Sequence, residues 1–212
     1  MIITAINPQK KHPDRFNVFI DGSFSFSAEE FFITKFKLKE DSEISSEEIS
    51  VIIKEAEFAK VYNRALAFIS RRPHSQAEII QYLKRLEVGE VTISMVLAKL
   101  KDFNFLNDRE FAIWLIDQRT KVSARGKRAI VSELKQKGID ADLISELFDT
   151  PESASTEIES ARALLSKKER QFSRFEPKMR NQKIKEFLAR RGFSWDTIQA
   201  VLKFKDVIDE NA

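Results

Sequence analysis

The chain has 212 residues, 42% of them hydrophobic and 33% charged, and 36 Lys+Arg against 33 Asp+Glu leave a net charge of +3. With no cysteine, two histidines far apart (His12 and His74), five glycines and neither glycine-rich phosphate motif, disulfides, Cys-zinc and iron–sulfur sites and thiol catalysis are excluded. Little is left for a His metal site, a Ser-His-Asp triad or a nucleotide cradle. No run approaches the ~18 apolar residues of a membrane span, and the N-terminus lacks the basic-then-apolar order of a signal peptide. The expectation is a cytoplasmic binding or regulatory protein, not an enzyme, with no metal or cofactor and no membrane association.

The first 58 residues carry 7 basic and 11 acidic side chains. Phe16–Ile20 and Phe24–Ser27 flank Asp21-Gly22, and apolar alternation around Asp-Gly predicts a β-hairpin, because tight hairpin turns need positive φ. Ile2, Ile3 and Ile6 supply a third strand, since a lone hairpin is marginal in water. Glu29–Phe36 reads as a short helix, with the phenylalanines burying one another and capping the helical body. Ser45-Ser46-Glu47-Glu48 contains a Ser-x-x-Glu capping box that opens a long helix over Glu47–Ser70, ending before Pro73. Ser75-Gln76-Ala77-Glu78 and Asn107-Asp108-Arg109-Glu110 open further helices in the same way.

From there the chain repeats. Superposing Leu83, Leu134 and Leu188 aligns Ile79, Ile130 and Ile184 before them, and Val88, Ile139 and Phe193 after them, without a gap. The frame continues through Ile93, Ile144 and Ile198, then Val96, Leu147 and Val201, then Leu97, Phe148 and Leu202. Gly138 and Gly192 share a helix-ending position, while repeat one carries Glu87 there, which predicts a slightly different turn. Thr92, Asp140 and Ser194 are assigned as N-caps of the helices that follow. Another apolar helix precedes each pair, at Ala65–Ile69, Phe111–Ile116 and Ala161–Leu165. Units of this kind bury little alone and stack on their neighbours. The expected fold is mainly α: three tandem three-helix repeats in an elongated array, preceded by a small β-hairpin or three-strand element. The expected divisions are 1–58 for the hairpin region and the start of the linking helix, 59–108 for repeat 1, 109–150 for repeat 2, and 151–212 for repeat 3 with a C-terminal tail.

The loops between first and second helices lengthen along the chain, from Arg71–His74 through Gln118–Arg125 to Ser166–Met179, and they hold the charge. Gln118–Ser132 has five basic residues (Arg119, Lys121, Arg125, Lys127, Arg128) and no acidic one, and Lys167–Arg191 has ten basic against three acidic. Five like charges without neutralising neighbours repel unless they are solvated or face an acidic partner. The candidate partner-binding residues are therefore Arg71 and Arg72 in repeat 1, that cluster in repeat 2, and Lys167, Lys168, Arg170, Lys183, Lys185, Arg190 and Arg191 in repeat 3. For the third patch the plainer reading is a flexible solvated loop and an ordinary helix surface. Trp114, Trp195 and Tyr82 are assigned to the core, and Asp108 and Glu133 to structure rather than acid–base chemistry.

Leu106-Asn107-Asp108, Phe111-Ala112, Arg119, Gly126, Ile130, Glu133-Leu134 and Lys137-Gly138-Ile139 resemble the central signature of the RecX family of bacterial recombination regulators. Ser70-Arg71-Arg72-Pro73-His74-Ser75 with Glu78 fits the family's opening repeat, and Phe187–Phe193 its third. The resemblance implies a curved array of three repeats that associates with RecA recombinase and its DNA filament, inhibiting ATP hydrolysis and strand exchange or limiting filament growth. It places the protein in recombination and repair as an expected monomer, with weak, sequence-independent DNA binding. The alternative is a helix-turn-helix-like DNA-binding module acting without RecA.

Overall fold

The computed structural model describes the backbone of residues 1–210 and the side chains of 1–150 and 153–203; residues 211 and 212 of the expected C-terminal tail lie outside the described residues. The chain forms two compact units, one of Met1–Ser70 with Leu83–Lys99, the other of Arg71–Tyr82 with Leu100 onward.

In the first unit, β1 (Ile3–Gln9), β2 (His12–Ile20) and β3 (Ser23–Glu29) form an antiparallel sheet in that order. The hairpin turn is Asp21-Gly22 with φ of +48° and +80°, the paired positive values of a turn whose twist suits the flanking strands. Thr4 sits at a register shift in β1, and its hydroxyl accepts the Gly22 N–H at 3.0 Å. The sheet buries Ile3, Val18, Ile20, Phe26 and Ala28 against Phe32, Ile44 and Ile52. Phe32 comes from α1 (Glu30–Lys35), and Ile52 from α2 (Ser46–Ile69). The Ser45–Glu48 capping box that starts α2 is complete. The phenylalanines do not all bury one another, because Phe24 and Phe31 remain 58% and 65% exposed.

The repeats are built from α3 (Gln76–Arg85) and α4 (Glu90–Asp102), then α5 (Asp108–Asp117), α6 (Lys127–Gln136) and α7 (Ala141–Phe148), then α8 (Pro151–Ser166), α9 (Glu169–Phe172), α10 (Pro177–Arg190) and α11 (Trp195–Glu210). No residue of the aligned apolar frame is exposed. Repeat 2 packs Phe111, Leu115, Ile130, Leu134, Ile139 and Ile144 into one core. Repeat 3 does the same with Ala161, Leu165, Ile184, Leu188, Phe193 and Ile198.

Three expectations need correction. The turn after the second helix is the same in all repeats, because Val88, Ile139 and Phe193 each donate to the carbonyl of the shared leucine, at 3.2, 3.1 and 3.1 Å. Glu87 takes the left-handed conformation (φ +58°) just as Gly138 (+75°) and Gly192 (+82°) do. Thr92 is not a cap, since α4 begins at Glu90 and the Ile93 N–H bonds the Gly89 carbonyl at 3.0 Å. Gly89 thus takes the place that Asp140 and Ser194 hold later. The long connection of repeat 3 is not merely a solvated loop: it contains α9, whose Phe172 is buried in the repeat core beside Phe187.

Candidate interaction surface

Within the second unit, two equivalent seams join successive repeats, and they decide which polar residues are already occupied. At the first, the Ser75 hydroxyl donates to the Lys137 carbonyl at 2.7 Å. At the second, the equivalent Gly126 donates its own N–H to the Arg191 carbonyl at 3.0 Å. Next in sequence, the free N–H at each helix start is capped by a carboxylate from the following repeat: Gln76 N–H by Asp108 at 2.8 Å, and Lys127 N–H by Glu157 at 2.7 Å. These are the orphan donors of α3 and α6, so the next repeat supplies part of each helix's cap. Glu157 also accepts the Ser194 and Thr197 hydroxyls, at 3.0 and 2.7 Å.

The glycines at these seams have a second reason to be glycine. A Cβ on Gly138 would lie 2.7 Å from the Ala77 Cβ, and one on Gly192 would lie 2.6 Å from the Ala129 N. Glu87 is exposed at the corresponding turn of repeat 1, so its side chain is tolerated despite the positive φ.

Several candidate contact residues are tied down inside the protein. Arg72 forms a bidentate pair with Glu78, at 3.0 Å on both nitrogens, and lies over the half-buried Trp114 ring at 5.5 Å. Lys137 reaches the same carboxylate at 2.5 Å. Burial pushes the Glu78 carboxyl up, but the hydrogen bonds and charges of Arg72 and Lys137 outweigh it and hold it down at about 2. Beside them His74 is buried, and its Nδ1 lies 2.8 Å from the Arg72 carbonyl; a carbonyl only accepts, so Nδ1 carries the proton. Burial lowers the imidazole pKa.

The repeat 2 cluster is largely neutralised, contrary to its appearance in sequence. Arg119 makes a bidentate pair with Glu133, at 2.8 and 2.6 Å, which holds that carboxyl below its usual range, and Arg125 approaches it at 3.8 Å. Lys121 pairs with Asp117 at 2.5 Å, and Lys127 with Asp149 at 3.4 Å. In repeat 3, Arg191 donates to the Ser123 carbonyl at 2.9 Å. The remaining candidates, Arg71, Arg128, Lys167, Lys168, Arg170, Lys183, Lys185 and Arg190, make no ion pair among the described residues. Six of these eight lie in repeat 3. Trp195, expected in the core, is instead 59% exposed, with Lys185 Nζ 5.9 Å from its ring centroid. The repeat alignment carries the signal for its exposure, since Trp195 falls opposite Glu90 and Ala141, which are exposed at the first positions of α4 and α7.

Four family models match in chain order: the regulatory protein RecX N-terminal domain over residues 1–45, and the first, second and third RecX three-helix domains over 62–100, 107–147 and 155–202. The regulatory protein RecX of Bacillus subtilis is 36% identical over 203 residues, covering 94% of this chain and 75% of that protein. The chain belongs to the RecX family. The RecX of Listeria welshimeri is 32% identical, with 94% and 74% of the two chains covered. A crystal structure of regulatory protein RecX superposes with a TM-score of 0.72 at 25% identity, over 94% of this chain and 98% of the other. RecX from Lactobacillus salivarius gives 0.64 at 27% identity, over 71% and 97%. As a RecX protein the chain has a regulatory role, and among its described residues no helix is long and apolar enough to cross a membrane.

Proposed function

We propose that this protein binds the RecA nucleoprotein filament and inhibits its ATPase and strand-exchange activities in recombination and repair. The observation that carries the reading is the set of basic side chains that meet no acidic partner among the described residues, concentrated in repeat 3 as Lys167, Lys168, Arg170, Lys183, Lys185 and Arg190. Charges satisfied inside a protein have little left to offer a partner, whereas unpaired ones steer and align an acidic surface. A helix-turn-helix mode would insert third helices into the major groove. The exposed face of α7 presents Asp142 and Glu146, and that of α4 presents Glu90, Val91 and Met95, and carboxylates there repel the phosphates that line a major groove.

The test is the DNA-dependent ATPase of RecA, titrated with this protein at substoichiometric to stoichiometric ratios. Inhibition is expected, and Lys167→Glu/Lys168→Glu/Arg170→Glu should raise the concentration needed by roughly tenfold, about 1.4 kcal/mol shared over three surface charges. Lys121→Glu, at a residue already paired, serves as control. A parent protein without effect, with DNA not limiting, refutes the proposal. A fully active triple variant with unchanged helicity removes Lys167, Lys168 and Arg170 from the contact.

A further inference from the structure

The surface of repeat 3 has a narrower chemistry than positive charge. Lys167, Lys168, Arg170 and Arg174 line one open depression of about 590 Å³, with Glu169 the single carboxylate on its wall among the described residues. The depression is built on α9, whose Phe172 ring packs 5.5 Å from Phe187 of α10. Lys183, one helical turn before Phe187, lies 5.5 Å from the ring centroid of Phe175, the residue that follows Arg174 of the depression in sequence. Lys185 points about 200° away from Lys183 around α10, and there it covers one side of Trp195. Positive charge therefore follows both flanks of α10, and each flank carries an aromatic ring beside a lysine. Trp195 opens α11 at the position that the exposed Glu90 and Ala141 hold in α4 and α7, and at 59% exposure this large aromatic forgoes a burial worth a few kcal/mol.

We infer that repeat 3 is a binding site for single-stranded nucleic acid, in which the Lys167–Arg174 depression and the lysines of α10 take backbone phosphates and Trp195 stacks an unpaired base. Basic tracks interleaved with exposed aromatic rings suit single strands, because every base offers a π face once it is unstacked. A duplex keeps its bases stacked and meets only the phosphate-binding part of the same surface. This deepens the proposed function by naming the filament component that repeat 3 touches, and it rests on that reading only for where the strand is met.

Binding is measured without RecA, by anisotropy of a labelled oligothymidylate and of a duplex of equal length, with the full chain over a salt series. Trp195→Ala should weaken single-strand binding by about tenfold, the loss of one stacked base, and leave duplex binding unchanged. Trp195→Phe should retain most of the affinity. Lys167→Glu/Lys168→Glu/Arg170→Glu should weaken both and lower the single-strand salt slope by about 2, three phosphate contacts at roughly 0.7 each. Circular dichroism of each variant should match the parent. The inference is overturned by a parent that binds no single strand, by Trp195→Ala binding as the parent does, or by equal losses on both DNAs. If these variants lose RecA inhibition while the parent shows no DNA affinity, the surface faces acidic protein, and the inference falls with RecA regulation intact. DNA binding as described, in a protein without effect on RecA, upholds the inference and defeats the earlier proposal.

Discussion

Gly126→Ala asks whether the repeats are held together backbone to backbone. Gly126 has φ of −80°, so alanine meets no conformational penalty there. What it meets is the next repeat: the added Cβ would overlap Phe193 Cα and N and lie 2.5 Å from the Gly192 carbonyl carbon. These are main-chain atoms that cannot rotate aside, and carbon atoms pack at about 3.5 Å or more. The seam must therefore open by about 1 Å. That stretches the bonds from Gly126 N–H to the Arg191 carbonyl and from Arg128 N–H to the Gly192 carbonyl, both 3.0 Å, beyond useful length. It also draws Lys127 N–H away from Glu157. Three hydrogen bonds at about 1 kcal/mol each predict a loss of about 3 kcal/mol, or roughly 6–12 °C in midpoint for a chain of this size. Gly89→Ala is the control, since a Cβ there meets nothing within 4 Å and a cap change costs at most about 1 kcal/mol. Thermal unfolding followed by circular dichroism compares the two. If Gly126→Ala is as stable as Gly89→Ala, the repeats are not fixed by this contact.

Glu78 should make stability depend on acid. Its carboxyl is held at about 2 against an ordinary 4.5, so its contribution is complete above the unfolded value and is lost as pH falls from about 4.5 toward 2. At about 1.4 kcal/mol per pH unit the ceiling is roughly 3 kcal/mol, and solvent around the partly exposed Arg72 reduces it to about 1–2 kcal/mol. Glu78→Gln should flatten the acid limb of a plot of urea midpoint against pH, and an unaltered limb would contradict the Arg72–Glu78–Lys137 network. Leu134, fully buried in the repeat 2 core, should cost about 2–5 kcal/mol as Leu134→Ala, read as a lower urea midpoint; a change under about 1 kcal/mol would remove it from the core.

The repeat frame was legible because burial imposes period and spacing together. Leu83, Leu134 and Leu188 stand at the same point of three helices, and a helix that buries one stripe must place apolar residues at that spacing. The hairpin was legible for a local reason, since Asp21-Gly22 answers a demand made within the turn itself. Glu87 departs from the expected turn difference because a glycine position can answer more than a demand of the backbone. The left-handed turn costs a glutamate something, but it forms, whereas Gly138 and Gly192 must also admit a neighbouring repeat. That second demand comes from residues such as Ala77 and Ala129, more than 60 positions earlier in the chain, and no local pattern carries it.

The binding surface was less legible, because charge that stands unopposed along the chain is neutralised across it. Arg119, Arg125 and Lys127 looked unopposed, yet Glu133 and Asp149 answer them from outside the basic window. The same holds for the residues on which the family resemblance rests. Asp108 caps Gln76, Glu133 holds Arg119, Glu78 holds Arg72 and Lys137, and Gly126 and Gly138 admit neighbouring repeats. The shared motif therefore describes how repeats fold and stack, and reversing charges within it would disturb a repeat or a seam before it tested any contact. Residues outside those pairs, Lys167, Lys168, Arg170 and the exposed Trp195, can be changed without touching a seam, so variation in partner affinity at those positions reports on binding rather than on folding.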